Sequence, residues 1–187
     1  MRKLQNNELG RKTVDQFRSS EKSPFVLVLD NVRSHSNVGS IFRTADAFLT
    51  EKILLCGITA TPPHRDIQKT ALGATESVSW KYYPTTMEAV LELRKNGYQI
   101  IGIEQVEGSL RLQDFSFEKE KKYALVLGHE INGVDQEIIN VCDHCIEIPQ
   151  FGTKHSFNIA VSAGIVLWEL NRKYYDLTPT PLPRKRG

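Results

Sequence analysis

Apolar residues in this chain fall into short unbroken runs, separated by stretches with helical spacing. Residues 25–30 read FVLVLD, a continuous apolar run closed by an aspartate. A run of that length without polar alternation is the pattern of a strand buried on both faces. Residues 53–56, 99–104 and 123–127 have the same character, and 145–148 is a shorter version. Helical patterns lie between several of them. One opens at Thr85, with Glu88 at capping-box spacing, and closes at Gly97. Strands alternating with helices predict an α/β fold: a mostly parallel sheet with helices on both faces.

The two ends read differently. Residues 1–22 are polar, with Leu4, Leu9, Val14 and Phe17 loosely spaced, and predict a helix or two lying on the main body. Residues 157–174 are apolar nearly all round, as expected of a helix that is buried or paired. Its partner is the sheet, a second subunit, or both. Pro179, Pro181 and Pro183 then forbid a helix in the basic segment LTPTPLPRKRG. The expected organisation is a helical extension at 1–22, one domain at 23–176 and a flexible basic tail at 177–187.

Composition narrows the classes without choosing among them. A chain of 187 residues suits one domain and buries a core without metal or disulfides. The net charge of +2 is a weak pointer to nucleic acid. Its distribution says more, because Arg2, Lys3, Arg11, Lys12, Arg18 and Lys22 crowd one end and Arg184, Lys185 and Arg186 the other. Basic ends hold phosphate backbones, or are simply solvated. No hydrophobic signal segment precedes the first strand, and no apolar run approaches the ~18 residues of a membrane span. With the odd cysteine count of Cys56, Cys142 and Cys145, a reducing cytoplasmic setting is expected. Cys142 and Cys145 have C-x-x-C spacing, but a structural zinc site wants four ligands and no second pair is near. No metal is expected. A G-x-G-x-x-G turn after an early strand is missing, which disfavours a dinucleotide-binding enzyme.

Three segments carry candidate chemistry. Residues 31–48, NVRSHSNVGSIFRTADAF, follow a buried strand. Ser36 or Asn37 can cap the helix there, and Ile41, Phe42, Ala45, Phe48 and Leu49 form one apolar stripe. Arg43 falls on the opposite face, beside a helix N-terminus that favours anions. Residues 124–134, ALVLGHEINGV, end a buried strand at Gly128 and place Glu130 and Gly133 in the loop. Ligands of open α/β sheets bind outside such strand ends, and Gly128 would let a ligand approach the backbone. Residues 146–167 run from a strand through Pro149 and Gly152 into the apolar helix, expected to begin near Ser156, with Asn158 at its edge. Taken singly, each segment has an ordinary reading as surface arginine, glycine turn or helix cap.

Taken together, NVGSIFRTADAF, LVLGHEINGV and IEIPQFGTKHSFNIAVSAGIVLWE resemble the three motifs of the SpoU (TrmH-like) RNA ribose 2′-O-methyltransferases of the SPOUT superfamily. The resemblance covers about residues 25–174. It implies S-adenosylmethionine as methyl donor, a homodimer, RNA as substrate, and a deep trefoil knot at the C-terminal end of the sheet. Residue by residue, it gives catalytic positions to Asn37, Arg43, Glu130, Ser156 and Asn158. Cofactor positions fall around Glu104, Leu127, Gly128, Ile148 and Phe157. Phe157 stands where leucine is usual and Gln150 where methionine is common, departures that bear on substrate identity rather than chemistry.

The implied reaction is in-line attack of a ribose hydroxyl on a sulfonium methyl. Its demands are positioning and management of one proton. Arg43 is either the base or a guanidinium fork on the adjacent phosphate, and the fork needs no deprotonated arginine. Asn37 is expected to orient Arg43 or the ribose, Ser156 to hold a phosphate oxygen, and Glu130 to order its loop. The rival reading is a non-catalytic RNA-binding or ribosome-assembly relative, which loss of Arg43 or Asn158 would have favoured. With only about 22 residues ahead of the domain, tRNA is expected as substrate over rRNA.

Overall fold

Each apolar run is a strand of one sheet. The computed structural model describes residues 1–177, so the expected tail lies outside the described residues except for Leu177. The strands are β1 (Ser23–Asp30), β2 (Thr50–Cys56), β3 (Ser79–Tyr83), β4 (Tyr98–Ile103), β5 (Leu110–Arg111), β6 (Lys122–Leu127) and β7 (His144–Glu147). They lie in the order β3-β2-β1-β6-β4-β7-β5, and every pairing is parallel. The helices are α1 (Val14–Ser19), α2 (His35–Ala47), α3 (Arg65–Ala71), α4 (Ala74–Ser77), α5 (Thr86–Lys95), α6 (Gln136–Ile139) and α7 (Ile159–Tyr174).

The unbroken runs are explained by two cores. Alternate residues of a strand point to opposite faces. Leu27, Leu29, Ile53, Leu55, Leu125 and Leu127 enter a core shared with Phe17 of α1, Ile41 and Phe42 of α2, and Val166 and Leu170 of α7. Val26, Val28, Leu54, Ala124 and Val126 enter the other, beneath Ala89, Val90 and Leu93 of α5 and Ile138 of α6. Both faces are dry, so neither face of these strands can be polar.

Two strands escape the apolar-run criterion. β3 is an edge strand whose first four residues are exposed, and β5 is two exposed residues. Both helix starts expected near the site also shift. Ser34, not Ser36 or Asn37, caps α2, its hydroxyl accepting from Asn37 N at 3.3 Å. Asn158, not Ser156, caps α7, its Oδ1 accepting from Ala160 N at 2.9 Å, so this helix begins at Ile159. In each case the true cap has non-helical backbone angles and is the residue directly before the first helical turn.

Cys142 and Cys145 act as packing groups. A Cβ on Gly102 of β4 would meet both sulfurs, at 3.2 and 3.1 Å, and burial pushes the Cys142 thiol up to about 12. No helix among the described residues is long and apolar enough to cross a membrane.

Candidate active site

Strand order reverses around β1, β6 and β4, and crossovers leave these strands in opposite directions. A doubly wound sheet opens a crevice at the carboxyl ends of such strands. Here the crevice is a cleft of about 790 Å³. Ile103 and Glu104 follow from β4, Leu127 and Gly128 from β6, and Ile146 and Ile148 from β7; Phe157 and Asn158 close it at the start of α7. All of Glu104, Leu127, Gly128, Ile148 and Phe157 therefore line one cavity, together with Glu130, Ser156 and Asn158.

The loop after β6 is a tight hairpin. His129 and Gly133 exchange both backbone hydrogen bonds at 2.9 Å. His129 Nδ1 accepts from Ile131 N at 3.0 Å inside the turn. The Glu104 carboxylate accepts from Val134 N at 3.1 Å and from Gln105 N at 2.9 Å. Gly133 has φ +70°, and a side chain there would strike that carboxylate. At Gly128 a Cβ would collide with the backbone of Gly133 and Val134. Glycine at 128 thus lets the returning chain of its own loop pack against the end of β6 that lines the cleft. Gln105 reaches across to the loop after β7, its Nε2 donating to the His155 carbonyl at 3.0 Å.

Beside this cleft the three segments meet through one side chain. Asn37, in the first turn of α2, donates from Nδ2 to Glu130 Oε1 at 2.8 Å. Its Oδ1 accepts from Asn158 Nδ2 at 3.0 Å. Glu130 also accepts from Ser34 N at 2.9 Å and Arg33 N at 3.0 Å. Burial pushes the Glu130 carboxyl upward, but these hydrogen bonds outweigh it and hold the group below the ordinary carboxylate value. Asn37 makes no hydrogen bond to Arg43 among the described residues; its side chain links Glu130 to Asn158.

Arg43 lies six residues further along α2, exposed, and forms no ion pair or side-chain hydrogen bond among the described residues. Ser156 is exposed and likewise makes no side-chain hydrogen bond there. The structure therefore connects Asn37, Glu130 and Asn158 directly, and leaves Arg43 and Ser156 as free polar groups around them.

Ser34, Arg33 and Gln105 were missed as site residues. Ser34 had a usable signal, a serine immediately ahead of a helical apolar stripe. Arg33 contributes through its backbone N–H and Gln105 through a contact 50 residues away in sequence, which no local pattern reveals.

The model of the SpoU rRNA methylase family matches residues 24–168, most of the chain. A 23S rRNA (guanosine-2′-O-)-methyltransferase of Neisseria meningitidis, RlmB, is 30% identical over 159 residues, 85% of this chain and 62% of that protein. The AdoMet-bound rRNA methyltransferase of Sinorhizobium meliloti superposes with TM-score 0.75 at 27% identity, over 84% of this chain and 60% of that one. The A. aeolicus TrmH/SpoU tRNA modifying enzyme shares the fold, with TM-score 0.77 at 24% identity, over 88% and 83% of the respective chains. The chain spans less than two thirds of the length of the Neisseria and Sinorhizobium proteins. The matched segment contains the cleft, the Asn37–Glu130–Asn158 link and Arg43, and the chain belongs to the SpoU rRNA methylase family.

Proposed function

We propose that this chain transfers a methyl group from S-adenosylmethionine to a ribose 2′-hydroxyl of RNA. The observation that carries the reading is the Asn37 bridge between Glu130 and Asn158, set beside a cleft of cofactor size and on the helix that bears Arg43. Tests on tRNA and rRNA decide the substrate; tRNA is the first choice.

The cleft suits the cofactor in its chemistry. Leu127, Ile146, Ile148 and Ile159 give it apolar walls, and Glu104 and Glu147 set carboxylates at its edge. The backbone around Leu127, Gly128 and Ile148, with Glu104 and Phe157, would hold it. When bound, S-adenosylmethionine supplies an electrophilic methyl on a cationic sulfur. The chain's own residues then position the ribose. Arg43 presents a planar fork to the phosphate beside the target. Ser156 offers its hydroxyl to a phosphate oxygen. Asn37 and Asn158 fix the floor on which the ribose lies, with Glu130 as their anchor. The hydroxyl proton leaves late, to phosphate or water, because a guanidinium is a poor base.

A homodimer belongs to the same proposal. α7 turns Val161 (49% exposed) and Trp168 (54% exposed) outward, and Phe157 and Ile131, which line the cleft, are exposed as well. A second copy of the chain is the occupant that a self-complementary two-fold contact would supply. The trefoil knot and a cytoplasmic location are also part of the reading. Mapping ribose methylation on total RNA from cells with and without the gene tests it: a 2′-O-methyl site should vanish, and an unchanged map counts against the enzyme.

A further inference from the structure

Beyond the cleft, one half-buried feature at the surface is unexplained. The imidazoles of His35 and His64 are stacked, with ring centroids 4.0 Å apart and planes 21° from parallel. His35 opens α2 and His64 caps α3, its Nδ1 accepting from Asp66 N at 3.2 Å. The two helices are locked together beneath the rings. Thr70 Oγ1 donates to the Ser36 carbonyl at 3.1 Å, and Gly39 lies so close to α3 that a Cβ would strike the Ile67 carbonyl and the Thr70 hydroxyl. Around the pair, Arg33, Arg65 and Lys69 are exposed and form no ion pair among the described residues, and Asp66 is the acid of the first turn of α3.

A ring pair held by two helices gains little by stacking in water, yet it is a preformed flat surface among unpaired cations. Unstacked RNA bases settle on histidine and arginine planes, while cations follow the backbone. His35 and Arg43 are eight residues apart on one helix, about 12 Å along its axis. That separation suits a neighbouring nucleotide rather than the target itself. We infer that the α2–α3 shoulder is an RNA-strand docking surface, on which the His35–His64 stack receives a base flanking the methylated nucleotide and Arg33, Arg65 and Lys69 take its phosphates. This inference rests on RNA being the substrate.

The test measures binding of the intact protein to two labelled probes, bulk tRNA and fragmented ribosomal RNA, across a salt series. S-adenosylmethionine binding is followed in parallel by calorimetry. His35→Ala with His64→Asn removes both rings but keeps an N-cap acceptor. It should weaken RNA binding about tenfold without changing the salt dependence. His35→Phe, which keeps a ring pair, should bind nearly as the parent does. Arg33→Gln, Arg65→Gln and Lys69→Gln should each lower the slope of log affinity against log salt by about 0.7. Cofactor binding should be unaltered in all. If the ringless variant binds RNA within about twofold of the parent, the stacking surface falls and the proposed function stands. If the parent binds neither probe, the proposed function falls and takes this inference with it.

Discussion

Asn37 joins residues more than ninety positions away on one side and more than a hundred and twenty on the other. Its amide uses its two ends for opposite jobs, donating to a carboxylate and accepting from another amide. Replacing it with alanine breaks the link between Glu130 and Asn158, leaving each held only to its own backbone partners. Asn37→Ala should therefore lower methyl transfer by roughly 100-fold, the scale set by small misplacements of reacting groups, while calorimetric cofactor affinity changes little. Arg43→Lys keeps the charge but loses the fork, so it should retain RNA binding and lose most turnover; near-normal turnover would remove the fork from the account. Glu130 gives a pH test. Its folded value is depressed, so its bonds add stability that is complete above the ordinary value of 4.5 and is lost as pH falls through the lower folded value. Urea denaturation should find Glu130→Gln less stable than the parent at neutral pH, with the gap closing below pH 4.5.

At the scale of elements, α2 is the scaffold on which the site depends. It carries Asn37 and Arg43, packs on α3 through Gly39 and meets α7 where Thr44 approaches Gly164. Gly39→Ala should separate α2 from α3 and cost about 1–3 kcal/mol. Thermal melting should show it, since each kcal/mol moves the midpoint by about 2–4 °C in a chain of this size. The central strands were legible in sequence because burial on both faces leaves no polar position to blur them. β3 was not, since an edge strand with exposed Trp80 and Tyr82 satisfies its pairing through backbone alone. The motif residues were legible as polar exceptions beside apolar helices and strand ends. The α2 cap was misplaced by two or three residues because Ser34, Ser36 and Asn37 are all good caps, and only the path of the chain out of β1 selects among them. The packing of the 129–134 loop on Gly128 was not legible for a related reason: a glycine signals close approach, and sequence does not say that its own loop is among what approaches.

At the scale of the whole molecule, the sheet gathers the ends of β1, β4, β6 and β7 at one edge, and the cleft and the Asn37 link are both consequences of that gathering. The proposed homodimer would use the outward apolar residues of α7. Trp168→Glu should convert a dimer to a monomer in sedimentation; an unchanged sedimentation coefficient would place the interface elsewhere. The most direct test of the central claim is transfer of label from methyl-labelled S-adenosylmethionine to unmodified tRNA or rRNA by the purified protein. The RNA is then digested and its nucleosides identified. The account predicts label in a 2′-O-methylnucleoside, made by the parent and largely lost in Arg43→Lys. RNA that binds yet gains no label, or label found on a base, would contradict it.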